Sequence, residues 1–305
     1  MIWIPKGKEW LKHPRAPFWL ALFFSLLALG LYSSLAFHNN ILYDESYQMA
    51  LNRHSITGMV RLAVYDYHPP LYDIMLHIFT GIFGDSLAVC RIFSVLSLVC
   101  LVILAFYPVR RIFGMKTSVI FSLFLLVFPC MFYSALEIRM YGWAAFFTTA
   151  ACVYGYLSVT RPEPKNLILL VFYSFCGMYT HIYSLIGIFF CYVILFFYTL
   201  PSGRRKRLPG ILVCGCINGM LFLPWMFVQL KQAGNAIDNY WVNKLSVPEC
   251  IDAILTFIFG QHDVLRASRV CILFLLMLAY IVWKIMSFFQ FFMSVCSTGH
   301  RLYII

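Results

Sequence analysis

Apolar runs about as long as a bilayer span recur along this chain. Examples are residues 18–37, 87–107 and 270–292. An α-helix needs about 20 consecutive apolar residues to cross the hydrocarbon core. Hydrophobic residues make up 62% of the chain and charged residues only 11%, whereas soluble domains carry about 25% charged residues. The sequence therefore predicts an all-α polytopic membrane protein with about eight spanning helices.

This composition leaves no room for a large soluble domain, so we interpret residues 1–305 as a single transmembrane domain. Two polar interruptions, 38–85 and 229–268, are interpreted as external loops. The net charge of +11 comes from short basic clusters between apolar runs. Such clusters are typical of cytoplasmic loops, and they lack the interleaved aromatic residues of a nucleic-acid surface. Nucleic acid is therefore not expected as a partner.

The basic clusters also predict the orientation in the cell membrane. The N-terminal flank carries Lys6, Lys8, Lys12 and Arg15, which places the N-terminus in the cytoplasm, and the strongest cytoplasmic marker is the run at 204–207. A cleaved signal peptide is the alternative reading of the first run, because residues 34–36 resemble a cleavage site. Residues after 38 lie outside in both cases. Further crossings are predicted at 117–136, 142–159, 167–179, 183–200 and 211–228.

The direction of the last crossing stays open. Residues 251–259 are too short to span, so we interpret them as an external or interfacial helix that precedes an inward crossing at 270–292. In that arrangement Arg266 and Arg269 lie outside, against the charge rule. If residues 251–259 instead form a thin span, the two arginines lie inside and the final helix runs outward.

The first external loop concentrates the chain's acidic residues. Five of the 12 acids fall in this window: Asp44, Glu45, Asp66, Asp73 and Asp85. Residues 45–64 mix apolar and polar side chains in a pattern compatible with a short amphipathic helix on the membrane interface. Residues 71–83 are apolar but too short to span. We therefore expect short interfacial helices in this loop.

Asp44 and Glu45 directly follow the first span, where a carboxylate is cheaply ionised beside lipid-borne molecules. Neighbours on a helix point about 100° apart, so the two acids are expected to act differently. One would be a base aimed at a bound hydroxyl, and the other a ligand to substrate or to a metal ion. The alternative is that both are solvated loop acids.

His68 precedes two prolines, Pro69 and Pro70, which stiffen the backbone and suit a phosphate contact. The alternative is a simple helix break with His68 exposed. Arg91 begins the second span on the external side.

Glu137, Arg139 and Tyr141 are expected at the outer mouth of the bundle. Ionisable groups at membrane depth mark a functional site by default. Arg139 is suited to bidentate phosphate binding, although a structural Glu137–Arg139 ion pair is the alternative. His181 lies at a further external junction, where a helix-end hydrogen bond competes with a ligand contact. All these residues fall on the same predicted side of the membrane.

The order of these features resembles that of the membrane-embedded GT-C glycosyltransferases. The resemblance is to the bacterial family 39 relatives of protein mannosyltransferases and of the lipid A aminoarabinose transferase, over residues 10–260. It rests on the basic N-terminus, the first span, Asp44-Glu45, the motif from His68 to Tyr72, Arg91, and Glu137-x-Arg139-x-Tyr141. His68 stands where several relatives have lysine. Because family members usually continue with further spans, the C-terminal part of the family fold is expected to be absent.

The resemblance implies transfer of a sugar from a polyprenyl-phosphate donor to a glycan, lipid or protein acceptor on the extracytoplasmic face, with inversion. Asp44 and Glu45 would be the catalytic acids, and the expected substrate-binding residues are His68, Arg91, Glu137, Arg139, Tyr141 and His181. No cofactor is required by the resemblance; a divalent metal ion stays open, with Asp44 or Glu45 as its ligand. The alternative function is a non-enzymatic lipid or polysaccharide transporter. Such a protein would place ionisable residues at the membrane midplane, which this sequence hardly does.

Overall fold

The structure is a computed structural model, which describes residues 13–37, 40–201, 203–239 and 246–259. Within these ranges the chain forms helices and turns and no strand, which confirms the all-α fold. The helices are α1 (Ala16–Ala36), α2 (Tyr43–Leu51), α3 (Ile56–Ala63), α4 (Leu71–Phe83), α5 (Leu87–Leu104), α6 (Arg110–Val127), α7 (Pro129–Leu136), α8 (Tyr141–Thr160), α9 (Pro164–Met178), α10 (Ile182–Thr199), α11 (Leu208–Asn239) and α12 (Val247–Phe259). A π-helical turn, Ala105–Val109, joins α5 to α6, and a 3-10 helix, Arg205–Arg207, precedes α11.

The chain divides into two compact units, Met1–Asn243 and Lys244–Ile305. The first unit contains α1 to α11 and all the candidate site residues. The second contains α12, whose start is capped because the Ser246 backbone N–H donates to Glu249 Oε2 over 2.6 Å. A short helix was predicted at 251–259, and α12 begins four residues earlier. The predicted crossing at 270–292 lies outside the described residues.

Four helical stretches in the described part of the chain are long and apolar enough to cross a membrane. They are Ala16–Ser34, Leu87–Val127, Ile182–Thr199 and Arg205–Gly234. The second stretch is 41 residues long, and it breaks at Gly114, where φ is 84°. That positive φ is a conformation that glycine adopts readily. The sequence predicted about eight spans, and four stretches within the described ranges meet both the length and the hydropathy that a span requires.

The first loop contains three short helices. The predicted single amphipathic helix at 45–64 is wrong in detail, because the chain ends α2 after Leu51 and starts α3 at Ile56. Ser55 starts the second helix by accepting a hydrogen bond from the Gly58 N–H over 3.3 Å. Asn52 lies in the gap, and its side-chain amide donates to Thr80 Oγ1 of α4 over 2.9 Å. This contact ties the end of α2 to α4.

Two other predicted helices have different boundaries in the structure. The crossing expected at 117–136 is split between α6 and α7, because Phe128 is extended (ψ 119°) ahead of Pro129. The external loop expected from residue 229 begins later, since α11 continues to Asn239 despite Pro224 in its interior. Within this polar segment Gln232 is buried and contacts the end of α3.

The core lies where α1, α5, α8 and α9 pack together, with Tyr32, Leu98 and Phe106 fully buried within it. The closest approach is at the start of α8. A Cβ added at Gly142 would lie 2.2 Å from Ser97 Oγ of α5. A side chain at position 142 would therefore require Ser97 to change its rotamer or the two helices to separate slightly, so Gly142 allows the close contact between α8 and α5.

Candidate active site

Two acids in the first turn of α2 have different surroundings. A carboxylate at this end of a helix is favoured by the helix dipole. The side chain of Glu45 is 1% exposed, whereas that of Asp44 is 49% exposed. Adjacent helical residues point in different directions, so one acid faces the protein interior and the other remains accessible.

Glu45 is held by a dense set of hydrogen bonds. Arg91 donates from Nε to Oε1 over 2.9 Å and from Nη2 to Oε2 over 2.7 Å. The backbone N–H groups of Leu42 and Ile138 donate to the same carboxylate over 3.1 and 3.2 Å. Arg91 also donates to the carbonyl of Asn40 over 2.5 Å. Glu45 therefore joins the segment between α1 and α2 to α5 and to the junction between α7 and α8.

The pKa of Glu45 reflects two opposing effects. Burial alone would raise it, but the hydrogen bonds from Arg91 and from the two backbone N–H groups outweigh burial and lower it. The carboxylate is thus ionised and fully engaged. A buried ion pair of this kind is costly to break, because removal of one partner leaves the other as an uncompensated charge.

Arg139 lies beside Asp44. Its Nε is 3.9 Å from Asp44 Oδ2, and its side chain is 9% exposed. That separation is too long for a hydrogen bond, and the buried Nε has no hydrogen-bond partner among the described residues. Burial lowers the pKa of Arg139, but the interaction with Tyr141 and the nearby carboxylates raise the pKa above its usual value. A buried cation therefore faces an accessible carboxylate.

Glu137 stands apart from this pair. Among the described residues the ion pair of Arg139 is with Asp44, so the alternative of a Glu137–Arg139 bridge does not describe the structure. Burial raises the pKa of Glu137, Arg139 lowers it in part, and Asp44 and Glu45 raise it further. The net direction is upward, so Glu137 holds its proton more tightly than a solvated glutamate.

His68 and His181 stack on each other. Their ring centroids are 4.9 Å apart with an interplanar angle of 26°, and Tyr141 meets His181 edge-on at 5.7 Å. His181 also caps α10, because its Nδ1 accepts from the Tyr183 N–H over 3.1 Å. The helix-end hydrogen bond and the clustering thus occur together. Nδ1 of His68 is buried and has no hydrogen-bond partner in the described part of the chain.

Both histidines are neutral near pH 7. Burial and, to a smaller extent, Arg139 lower the pKa of His68, and Asp44 raises it; the net pKa is about 4. Burial, His68 and Arg139 together lower the pKa of His181 to about 4, and burial has the largest effect. Neutral imidazoles can donate one hydrogen bond each. Arg139 therefore supplies the positive charge of this cluster, and the histidines supply neutral donors.

The position of His68 is fixed by a long-range backbone contact. Prolines 69 and 70 have no N–H, and the next residue, Leu71, donates its N–H to the carbonyl of Tyr179 over 3.0 Å. Tyr179 is two residues before His181. This bond fastens the start of α4 to the junction between α9 and α10, so it brings the two histidines together.

A polar face on α2 was not singled out from the sequence. Glu45, Gln48 and Asn52 follow helical spacing, and all three are buried. Gln48 donates to Asp73 Oδ1 of α4 over 2.5 Å, and burial raises the pKa of Asp73 to about 7. Polar residues at i, i+3 and i+7 were the available signal, because such a face is buried only when it has partners.

The two carboxylates at the start of α2 differ in how accessible they are to a metal ion. No group of three His, Cys, Asp or Glu side chains within the described residues is arranged to hold one. Both oxygens of Glu45 already accept hydrogen bonds from Arg91 and the backbone, which leaves Asp44 as the accessible carboxylate. We therefore derive no step that uses a metal.

The fold and this cluster define a helical membrane protein with a charged site where the short loop helices meet the bundle. The sequence model of the dolichyl-phosphate-mannose-protein mannosyltransferase family matches residues 67–227, more than half of the chain. The chain belongs to this family of membrane glycosyltransferases, which use a sugar linked to a polyprenyl phosphate. This membership favours the transferase over the transporter alternative. No curated protein and no solved structure matches the chain.

The matched region contains most of the candidate residues. His68, Arg91, Arg139 and His181 fall inside it, whereas Asp44 and Glu45 precede it. The two acids are nevertheless joined to the matched region by the contacts to Arg91 and Arg139.

Proposed function

We propose that this chain transfers a sugar from a polyprenyl-phosphate donor to an acceptor on the extracytoplasmic face, with inversion at the anomeric carbon. The observation that carries the proposal is the accessible Asp44 carboxylate 3.9 Å from the buried Arg139. The accessible carboxylate can accept a proton and the buried cation can bind a phosphate, so a donor that enters between them would separate the pair and meet one group on each side of the sugar. Mannose is the first sugar to assay, because the family is described by it.

Asp44 acts as the general base in this proposal. Its carboxylate accepts the proton of the acceptor hydroxyl as the hydroxyl oxygen attacks the anomeric carbon. The bond between that carbon and the phosphate oxygen breaks, and polyprenyl phosphate leaves with the bonding electron pair. A single displacement from the face opposite the leaving group inverts the anomeric configuration. General-base assistance contributes about 10²- to 10⁴-fold to such a reaction.

Arg139 stabilises the leaving phosphate. The phosphate gains negative charge as the bond breaks, and a preorganised cation in a buried site stabilises that charge most strongly. The guanidinium has five N–H donors, and its Nε has no hydrogen-bond partner among the described residues. His68 adds a neutral donor rather than a second charge, since its pKa of about 4 keeps it unprotonated at pH 7.

Glu45 and Arg91 are positioning residues in this proposal, not substrate ligands. Their mutual hydrogen bonds occupy both carboxylate oxygens. They fix the first turn of α2, and with it the direction of Asp44, against α5 and the segment that carries Arg139. Tyr141 interacts electrostatically with Arg139, and burial raises the pKa of Glu137, which disfavours a second negative charge beside the phosphate.

The test is a transfer assay with purified protein in lipid nanodiscs. Radiolabelled polyprenyl-phosphate mannose is supplied with candidate glycan, lipid and peptide acceptors, and the Asp44→Asn variant is compared with the unmodified protein. We expect kcat to fall by about 10²-fold or more, because Asn cannot accept the proton. Asp85→Asn is the matched control, since Asp85 is an exposed acid of the same loop. Full activity of Asp44→Asn would remove the proposed base.

A further inference from the structure

One face of α11 carries polar atoms that the candidate active site described above does not use. Trp225 Nε1, Gln229 Oε1 and Gln232 Oε1 are shielded from solvent and have no hydrogen-bond partner among the described residues. Trp225 is 7% exposed and Gln232 is 3% exposed. Buried polar atoms of this kind are rare in native proteins, because each loses its hydrogen bonds to water without replacement.

The three residues lie along a single side of the helix. Their spacing of four and then three positions places them one above the other, over about 10 Å of the helix axis. The neighbours at 227 and 230 point away, with Phe227 64% and Leu230 63% exposed. The pattern is therefore a directed polar face and not a generally polar segment.

This face borders both segments that hold the histidine pair. At its outer end, Gln232 Nε2 donates to the carbonyls of Ala63 and Val64, over 2.8 and 3.1 Å, a few residues before His68. At its inner end, Trp225 lies 6.4 Å from the ring of Tyr179, which precedes His181 by two residues. The face thus follows the side of the site next to the two histidines.

The contacts of Gln232 fix which atom remains to be paired. Both amide hydrogens are directed to the backbone carbonyls at the end of α3, so Oε1, at the opposite edge of the planar amide, points away from these carbonyls. Tyr179 OH donates to the carbonyl of Leu221 over 2.8 Å, in the turn that Pro224 disrupts. These bonds hold α11 in register with α3 and with the junction between α9 and α10.

The unpaired groups are one N–H donor and two carbonyl acceptors. An ionised phosphate only accepts hydrogen bonds, so it could pair with Trp225 but not with the two glutamines. A hydrocarbon tail pairs with none of them, and a bare cation is unsuited to the indole N–H. Sugar hydroxyls both donate and accept, so they match all three groups at once.

We propose that Trp225, Gln229 and Gln232 form the subsite that binds the hydroxyls of the transferred sugar. This inference rests on the proposed function, because it presumes a lipid-linked sugar bound beside His68 and His181. The phosphate is then held by Arg139 and the sugar by α11. In this arrangement, the residues that bind the sugar differ from the residue that stabilises the leaving phosphate.

The test measures the affinity of the protein in nanodiscs for two kinds of lipid. One kind is polyprenyl phosphate that carries mannose, glucose or 4-amino-arabinose. The other is the same polyprenyl phosphate without a sugar. Trp225→Phe removes the N–H donor and keeps an aromatic ring, and Gln229→Met removes the carbonyl and keeps the length. We expect each variant to weaken binding of the best-bound sugar lipid about three- to tenfold, the effect of one neutral hydrogen bond. Binding of the sugar-free lipid should stay unchanged.

Phe227→Leu and Leu230→Met, on the opposite face of α11, are the matched controls and should alter neither affinity. Unchanged affinity of both variants for the sugar lipid would overturn the subsite and leave solvent as the partner of these atoms. An equal loss for both ligands would also overturn it, since that result indicates a structural role. If the unmodified protein binds neither ligand, the proposed function itself fails.

Discussion

Asp73 is the carboxyl group whose titration most affects stability near neutral pH. Burial raises its pKa from 3.8 to about 7, against the lowering effect of the hydrogen bond from Gln48. Between these pH values the folded protein holds a proton that the unfolded chain has released. The free energy of unfolding therefore falls as the pH rises from about 4 to about 7, and it is level above that range.

Asp73→Asn should remove this dependence while it keeps the acceptor for Gln48. Relative to the unmodified protein, we expect the variant to gain on the order of 3 kcal/mol of stability as the pH rises from 5 to 7. The measurement is the melting temperature of both proteins from pH 5 to pH 8. Parallel curves would show that Asp73 does not titrate in this window.

The histidine pair acts with the opposite sign. Its pKa values of about 4 lie below the ordinary value of 6.5, so its contribution to stability is complete above pH 6.5 and is lost as the pH falls towards 4. Because both proteins in the comparison contain the pair, this contribution cancels in their difference. The comparison thus isolates Asp73.

Sequence analysis predicted a group of polar site residues but not how they pair. Asp44, His68, Arg139 and His181 were predicted on one side of the membrane, and in the structure Asp44 pairs with Arg139 while His68 stacks on His181. Adjacent acids in a sequence look alike, and only tertiary packing sends Glu45 to Arg91, 46 residues away. Tertiary packing also pairs Arg139 with Asp44, although Glu137 is closer to Arg139 in the sequence.

Helix boundaries followed local chemistry where that chemistry was strong. The proline at 129 and the cap at Ser55 explain breaks that hydropathy alone could not locate. By contrast, α11 continues through the polar segment to Asn239, and within that segment Gln232 contacts the end of α3, about 170 positions away in the sequence. A prediction from the polarity of a short stretch of sequence cannot take such a distant contact into account.

The contact between α5 and α8 at Gly142 leads to a prediction about helix packing. Gly142→Ala would place a methyl group against Ser97 Oγ and Cβ, so the Ser97 hydroxyl must turn away and α8 must move slightly from α5. Since Tyr141 and Arg139 are carried by the same junction, we expect at least about tenfold lower transferase activity, together with a stability loss of about 1–3 kcal/mol. The measurements are the transfer assay and thermal unfolding.

The matched control is Gly30→Ala in α1, where nothing lies within 4 Å of the added atom. It should retain activity. Ser97→Gly combined with Gly142→Ala should recover part of the loss, because it removes the atoms that the new methyl group meets. An inert Gly142→Ala variant would mean that the helices are less closely packed at this point than the distances indicate.

Across the molecule as a whole, the site and the basic run at 204–207 should face opposite sides of the membrane. Lysine and arginine are enriched in cytoplasmic loops, and the run precedes α11, whose other end meets the first loop. Tyr65→Cys, at an 84% exposed position, should react with a membrane-impermeant maleimide in intact cells. Lys206→Cys should react only after permeabilisation.

The unmodified protein is the reference for this labelling, because it has 11 cysteines of its own. Labelling of Lys206→Cys but not Tyr65→Cys in intact cells would reverse the orientation and place the proposed chemistry in the cytoplasm. It would leave the geometry of the site unchanged. The experiment therefore tests the sidedness of the reaction independently of its mechanism.

The backbone bond between Leu71 and Tyr179 has a consequence for how the protein is made. A nascent chain that has emerged as far as Val127 already contains Asp44, Glu45 and Arg91, but it lacks Arg139 and Tyr179. The acidic loop therefore stays without Arg139 and without the Leu71–Tyr179 bond until α9 and the start of α10 have followed. The cluster of Asp44, Arg139, His68 and His181 is assembled only after these later helices are made.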